Sequence, residues 1–339
     1  MSARAWTLFA AVSTVWGIPY LFIKIGVDGG MPPVVLAWTR IVIAAVVLLI
    51  LAARAGALPA LHGRWRYLVA YGIVEISIPF PLIATGERYV ASSLAAIIIA
   101  AVPLIVALLA LRFDPAERAT GSRLVGLVIG LVGVVVLVGT DASGSWKSLL
   151  GAGAIMIAAI GYAGGPMILK AHLTDLDPRA AMGASLAVAA VALTPLALLD
   201  FPRRAPSPGA LASVVVLGLV CTALAFVLMA MLIGEIGPGR AVVITYINPI
   251  IAVALGVTIL GEQPGAGAVA GLLLILAGSW LSTDGRVPPG LTAMLERVRR
   301  HKGTRVERVI DPAVGVHDPR SCSRGISVHF CPGSTRVDI

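Results

Sequence analysis

The stretch Gly126-Leu-Val-Ile-Gly-Leu-Val-Gly133 decides the fold, because it recurs as Gly271-Leu-Leu-Leu-Ile-Leu-Ala-Gly278 with its first and last glycines in register. The run from Pro19 to Lys24 is echoed in the same way by the run from Pro166 to Lys170. The offset of about 145 residues is far longer than the repeat of a solenoid, and both copies are almost wholly apolar. These features predict a membrane protein built from two homologous halves.

Composition supports the same class. Hydrophobic residues make up 58% of the chain and charged residues 13%, whereas a soluble domain carries about 25% charged residues. Long apolar stretches with few charges predict membrane-spanning helices, and the sequence holds ten of them: 6–24, 33–53, 66–85, 90–111, 122–139, 147–169, 178–199, 209–233, 240–260 and 265–282. Most lack the alternation of a transmembrane β-barrel, and without water the backbone must bond internally, so we predict an all-α helix bundle.

The placement of Lys and Arg predicts the orientation of this bundle. With the N-terminus inside, the inner loops hold ten basic residues and the outer loops five, namely Lys24, Arg88, Lys147, Arg203 and Arg204. Because positive charge accumulates on the cytoplasmic side, we expect both termini in the cytoplasm of a multi-pass cell (plasma or inner) membrane protein. Five helices per half then require the second repeat, 147–282, to lie inverted relative to the first, 6–139. Segment 6–24 is expected to be a retained helix and not a signal peptide, because its echo lies mid-chain.

Residues 284–339 form a region of different character, with ten Lys/Arg against six Asp/Glu and no sustained apolar face. We expect a basic, largely disordered cytoplasmic tail. The net charge of +9 therefore reflects inner loops and tail and does not indicate nucleic-acid binding. Cys322 and Cys331 in this tail match no zinc spacing, so no metal site is predicted.

Motifs of membrane enzymes are missing from the sequence. It contains no H-E-x-x-H, G-x-S-x-G or Walker A pattern, and all five histidines fall outside the predicted helices. We therefore expect no enzyme, no catalytic residue and no cofactor. The expected partners are the lipid bilayer and a small-molecule substrate that crosses it.

Several short motifs stand out along the chain: Trp16-Gly17, Pro32-Pro33 leading into Trp38-Thr39-Arg40, and a helix–Glu–helix layout from Leu111 to Gly133 and again from Leu260-Gly261-Glu262 to Gly278. In these motifs, their order and their spacing, the chain resembles the EamA-type proteins of the drug/metabolite transporter superfamily. The resemblance covers about residues 6–283 and departs at Phe113-Asp-Pro-Ala-Glu117, where the family favours a Leu-Gly-Glu turn, and in the longer tail. It implies ten helices in two inverted repeats around a central cavity, and export by a secondary mechanism. In the family the fourth, fifth, ninth and tenth helices can mediate dimer contacts, which leaves a homodimer open here.

Glu75 is the sharpest candidate for a functional residue, because a carboxylate midway along the third predicted helix is costly in a bilayer. Pro79 and Pro81 follow within two turns and are expected to break that helix beside the cavity. Aligning the halves puts Cys221-Thr222 opposite Glu75, so the charge belongs to one half only. Glu75 either senses substrate and couples transport to protons, or it is protonated and bonds to a neighbouring helix as part of the packing.

Arg40 lies about two turns into the second predicted helix, where the other half has Ser185. In a functional role, Arg40 would pair with Glu75 or with an anionic substrate. The alternative is that it reaches the lipid headgroups or forms a structural ion pair. Other expected pocket residues are aromatic or amide side chains near helix centres, each with interhelical packing as its alternative: Trp16, Tyr20, Tyr162, Tyr246 and Asn248. Further prolines expected to break helices near the cavity are Pro19, Pro166 and Pro249.

The sequence therefore predicts a secondary transporter. We expect an exporter of small metabolites or amphipathic compounds that works by alternating access between inverted repeats. Proton coupling is left open beside uncoupled facilitation. The competing hypothesis is a non-transporting membrane sensor or scaffold that signals through its basic tail.

Overall fold

Each of the ten predicted segments contains helix in the structure. The computed structural model describes residues 2–113, 121–139, 145–237, 241 and 244–282. The first half contributes α1 (Ala3–Gly17), α2 (Pro19–Asp28), α3 (Pro33–Arg54), α4 (Trp65–Tyr71), α5 (Pro79–Gly86), α6 (Ser92–Ile99), α7 (Val102–Phe113) and α8 (Ser122–Leu137). The second half contributes α9 (Trp146–His172), α10 (Pro178–Leu199), α11 (Pro208–Gly218), α12 (Ala225–Ile236), α13 (Ile244–Ile259) and α14 (Ala266–Ser282).

The helices agree with the predicted all-α membrane class. Seven helical stretches are long and apolar enough to cross a membrane by length and composition, and the described residues hold three shorter apolar helices. No strand occurs within the described ranges. Predicted and observed bounds agree closely, as for segment 178–199 and helix Pro178–Leu199. The predicted tail, 284–339, and the atypical turn at 114–117 lie outside the described residues.

Prolines begin helices at some of the expected positions and not at others. Pro19 is the first residue of α2, and Pro79 is the first residue of α5, with Pro81 in the same turn. By contrast, α9 runs through Pro166 and α13 runs through Pro249, so the breaks expected there are not formed. A proline removes one helix hydrogen bond, and neighbouring helices can compensate for one freed carbonyl in a membrane bundle.

Two π-helical segments lie at matching places in the two halves. Gly72–Ser77 joins α4 to α5, and Leu219–Leu224 joins α11 to α12. The first contains Glu75 and the second contains Cys221-Thr222, the residues that the repeat pairs. Because π turns are rare and are often found at functional sites, these segments direct attention to the side chains they carry.

Corresponding helices α3 and α10 pack against each other in antiparallel orientation. Near the start of α3, Trp38 Nε1 donates to Ala190 O at 3.1 Å and to Thr194 Oγ1 at 3.0 Å. Near the end of α3, Leu49 contacts Gly183, which lies close to the start of α10. The register therefore runs in opposite directions along the two helices.

The repeated glycine stretch forms a second antiparallel pair, α8 with α14. An ideal Cβ at Gly126 would lie 2.7 Å from Gly278 O, and one at Gly133 would lie 3.0 Å from Gly271 O. Such close approach of backbones is the packing that small residues permit in membranes. The glycines shared by the two copies thus face one another across a single helix–helix interface.

Candidate functional site

Arg40 is buried where α3 meets the second π-helical segment, with 7% of its surface exposed. Its Nε donates to Thr222 Oγ1 at 2.8 Å, and its guanidinium carbon lies 4.1 Å from the centroid of the Phe80 ring. A neutral hydroxyl and an aromatic face therefore stabilise the charge. No carboxylate of the described residues lies within 4 Å of it, so the pairing with Glu75 considered above is not formed in this conformation.

Tyr162 of α9 is a neighbour of both Arg40 and Glu75. Its ring packs edge-on against Phe80, with ring centroids 6.4 Å apart and an interplanar angle of 79°. The side chain is within electrostatic range of both Arg40 and Glu75. Tyr162 thus interacts with both buried Arg40 and the acid of the first π-helical segment.

Glu75 faces α9 at a glycine. An ideal Cβ at Gly165 would lie 2.7 Å from Glu75 Cδ, so only glycine leaves room for the carboxyl group here. Glu75 Oε2 is buried and has no hydrogen-bond partner among the residues that the structure describes. An unsatisfied carboxyl oxygen is costly in a packed interior, which sets Glu75 apart from an ordinary packing residue.

Tyr20 of α2 belongs to the same region. It packs with Tyr162 against one apolar cluster of buried side chains that includes Ile83 and Cys221. It also lies within electrostatic range of Arg40 and of Glu87, the residue that follows α5. The structure therefore brings together four of the predicted site residues: Glu75, Arg40, Tyr20 and Tyr162.

Glu87 is an acid that the sequence analysis did not single out. It has no exposed surface, and neither of its carboxylate oxygens has a hydrogen-bond partner within the described part of the chain. Lys24 Nζ donates to the backbone carbonyl of Glu87 at 2.9 Å and lies 3.2 Å from Asp28 Oδ1. Burial raises the pKa of the Glu87 carboxyl well above its usual range, although Lys24 acts in the opposite direction.

Glu262, in the loop before α14, lies near Glu87 and contacts the start of α6. Its carboxylate accepts from Ser92 N at 2.7 Å and from Ser93 N at 2.9 Å, and so caps α6. Burial alone would raise the pKa of Glu262, but the hydrogen bonds from Ser93 and Ser92 outweigh it and lower the pKa.

The remaining predicted site residues lie on α1 and α13. Trp16 packs edge-on against Phe226 with centroids 6.1 Å apart, and Tyr246 OH donates to Ser279 O at 3.2 Å. With its amide nitrogen turned toward the carbonyls, Asn248 donates to Ile244 O at 2.9 Å and to Ser13 O at 3.1 Å. The Asn248 amide thus joins α13 to α1 in this conformation.

The profile of the EamA-like transporter family matches the chain twice, over residues 4–139 and 149–283. The chain belongs to this family. Together with the apolar helices, family membership identifies it as a membrane transporter.

Named relatives of this EamA-like transporter are distant but span most of its length. It is 25% identical over 284 residues to an "Uncharacterized transporter" of Archaeoglobus fulgidus, which covers 82% of this chain and 98% of that protein. It is 28% identical over 257 residues to the "Uncharacterized inner membrane transporter YedA" of Escherichia coli, covering 74% of this chain and 81% of the relative. A "Probable amino-acid metabolite efflux pump" of Escherichia coli is 24% identical over 296 residues, which cover 84% and 96% of the two chains.

A solved crystal structure shares the fold of this EamA-like transporter. The TM-score is 0.60 at 20% sequence identity, and the match covers 84% of this chain and 98% of the other. At this identity the likeness concerns the fold alone.

Three side chains of the site were not named as candidates from the sequence: Phe80, Thr222 and Glu87. Phe80 stands between Pro79 and Pro81, and an aromatic residue between two prolines of a spanning segment was a usable signal. Thr222 was noted only as part of the Cys221-Thr222 pair that aligns with Glu75. Glu87 adjoins Arg88 in a short loop, where a charge pair is typical of a solvated position, so no local signal indicated its burial.

Proposed function

We propose that this EamA-like transporter is a secondary transporter that exports small metabolites or amphipathic compounds across the plasma or inner membrane by alternating access. Residues 6–139 and 147–282 would form two inverted five-helix repeats, with both termini in the cytoplasm. The substrate would bind between the repeats, at a pocket lined by Glu75, Arg40, Tyr20, Tyr162, Trp16, Tyr246 and Asn248.

The observation that carries this proposal is a pair of equivalent glycine contacts. An ideal Cβ at Gly72 would lie 2.6 Å from Ser185 O, and one at Gly218 would lie 3.1 Å from Arg40 O. Gly72 and Gly218 are repeat partners, and so are Arg40 and Ser185. Each glycine therefore contacts, in the other half, the residue that is equivalent to the one its repeat partner contacts. Two inverted halves related by a two-fold axis are expected to make such equivalent contacts. These contacts support a mechanism in which either end of the bundle opens through the same kind of movement.

Side-chain chemistry differs where the backbone contacts match. The first half supplies Arg40 and Glu75, whereas the second supplies Ser185 and the pair Cys221-Thr222 at the matching positions. Ionisable residues at membrane depth are usually retained for function. Arg40, held by one hydroxyl and one ring, has further N–H donors for a carboxylate or phosphate group of a substrate. Similarity to the "Probable amino-acid metabolite efflux pump" of Escherichia coli supports testing amino acids and their derivatives first.

The test compares metabolites inside and outside cells that express the wild type, Arg40→Met or Arg54→Met. Arg54 is an exposed residue at the end of the same helix, so it controls for loss of a positive charge. We expect at least one compound to accumulate outside with wild type and Arg54→Met, and to be lost with Arg40→Met at equal abundance in the membrane. Equal export by all three proteins would contradict the placement of the pocket.

Glu75→Gln tests coupling at the pocket itself. We expect a protein that inserts normally but no longer concentrates substrate against a gradient. Deletion of residues 284–339 addresses the sensor hypothesis, because a transporter should keep its transport without the tail. If no transport is found and the deletion abolishes binding to a cytoplasmic protein, the sensor hypothesis is favoured.

A further inference from the structure

Glu87 is sealed into the bundle by the packing of its neighbours. Gly86 and Gly151 of α9 approach closely, since an ideal Cβ at Gly86 would lie 2.8 Å from Gly151 O. One at Gly151 would lie 3.0 Å from Tyr89 Cβ. The short loop after α5 therefore packs closely against α9, and Glu87 has no exposed surface.

An ionised carboxylate in this position would lack the partners that usually accompany a buried charge. Hydrogen-bond donors to its two oxygens are missing among the described residues, and Lys24 is directed to the Glu87 backbone carbonyl and to Asp28. A buried charge without a direct partner is costly, and the group neutralises instead. The geometry therefore favours the protonated form while this end of the bundle is closed.

Charged groups from several elements surround Glu87. Lys24, Asp28 and Tyr20 of α2, Arg40 of α3 and Glu262 of the loop before α14 all interact with it electrostatically. The two cations favour the ionised form and the two acids oppose it, and burial has the largest effect. Water reaching the loop would remove the effect of burial and restore an ordinary acid.

We propose that Glu87 is a proton-binding site, separate from Glu75, that holds a proton while this end of the bundle is closed and releases it to water when this end opens. The step is a simple proton transfer: the carboxylate takes a proton from water as this end closes and returns it to water at the same end as this end opens. No proton crosses the membrane in this step, so the site makes opening of this end dependent on the pH there. Its effect on transport rests on the proposed transport function. The proton site itself is testable without any substrate.

The test uses the full-length protein purified in detergent. Infrared absorption of protonated carboxyl groups is recorded from mildly acidic to alkaline pH for wild type, Glu87→Gln and Glu75→Gln. We expect the difference between wild type and Glu87→Gln to contain a protonated carboxyl band at neutral pH that disappears on alkalinisation. The same band should remain in Glu75→Gln. Its absence from the difference spectrum at neutral pH would overturn the proposal.

Lys24→Met gives a second test in a protein that keeps Glu87. Loss of the neighbouring cation should move the disappearance of the band to higher pH, whereas Lys147→Met, on the surface of α9, should leave it unchanged. A purely structural role of Glu87 predicts no shift in either variant, and that result would also overturn the proposal.

Transport in proteoliposomes, with radiolabelled amino acids as probes, separates this inference from the proposed function. If the wild type transports a probe but the infrared spectra show Glu87 ionised at neutral pH, the proton site is refuted and the transporter assignment is kept. A titrating Glu87 in a protein that also fails to export any metabolite from cells would support the proton site and refute the proposed export.

Discussion

Gly164 and Gly165 offer a matched pair of substitutions that test whether α9 holds Glu75 in position. An ideal Cβ at Gly165 would lie 2.7 Å from Glu75 Cδ and 2.9 Å from Glu75 Cβ, whereas one at Gly164 would meet only Val74 Cγ1, at 3.3 Å. Carbon atoms in ordinary contact lie about 3.5–4.0 Å apart, so Gly165→Ala requires a displacement of up to about 1 Å. Rotation of the Glu75 side chain does not relieve the contact with its Cβ, which is attached to the backbone of the π-helical segment.

The magnitude follows from what the two substitutions share. Each replaces a helical glycine by alanine, which stabilises a helix by about 1 kcal/mol. Gly165→Ala alone adds an overpacking cost of about 1–3 kcal/mol. We therefore expect Gly165→Ala to be less stable than Gly164→Ala by about 1–3 kcal/mol. Thermal unfolding of both proteins in the same detergent measures this difference in stability. Export of a compound found by the metabolite comparison should be reduced only in Gly165→Ala.

A double variant sharpens this test. Glu75→Ala removes Cδ and the carboxylate but leaves Cβ, so Gly165→Ala should cost less in that background, with a coupling of about 0.5–3 kcal/mol as found for residues in contact. If the two alanine variants unfold at the same temperature and no coupling to Glu75 is found, α9 does not hold the carboxyl group and the reasoning is refuted.

Three further predictions concern packing and hydrogen bonds. Gly278→Ala should destabilise the protein by about 1–3 kcal/mol because its Cβ would overlap backbone atoms of α8, whereas Gly153→Ala, with nothing within 4 Å of its Cβ, should be neutral or stabilising in thermal unfolding. Glu262→Ala should cost about 1 kcal/mol at neutral pH through loss of the α6 cap. Because the pKa of Glu262 is lowered on folding, the difference from wild type should vanish as pH falls through the folded pKa, and unfolding at neutral and acidic pH checks this. Thr222→Val should cost about 1–3 kcal/mol by leaving buried Arg40 Nε without its acceptor, and Thr222→Ser, which keeps the hydroxyl, should restore most of it.

Hydropathy predicted the helical segments well because the membrane imposes a length and an apolar composition on each of them. Segment 33–53 became helix Pro33–Arg54, and 209–233 lies within Pro208–Ile236. The interruption between Ile99 and Val102 was not predicted, since segment 90–111 is apolar throughout. Pro103, in the first turn of α7, was the available signal, because proline is tolerated at the start of a helix and not in its interior.

The candidate site was predictable only where a charge is costly at membrane depth. Arg40 and Glu75 could be found in this way, since each interrupts an apolar segment. The burial of Glu87 could not, because it depends on the approach of Gly86 to Gly151, two residues far apart in the chain. The contacts of Trp16 with Phe226 and of Tyr246 with Ser279 are likewise properties of packing, which aromatic character alone does not reveal.

The Arg40–Thr222 hydrogen bond joins the two positions at which the halves differ in charge. Thr222 belongs to the Cys221-Thr222 pair that aligns with Glu75, and Arg40 aligns with Ser185, whose backbone carbonyl packs against Gly72 in the segment that holds Glu75. Arg40 therefore bonds to a neutral hydroxyl, and a serine stands where a second arginine would approach Glu75. A direct Arg–Glu pair would have satisfied both charges within the protein. With the cation and the acid apart, Glu75 Oε2 has no hydrogen-bond partner within the described ranges, which agrees with the proposed binding role of both residues.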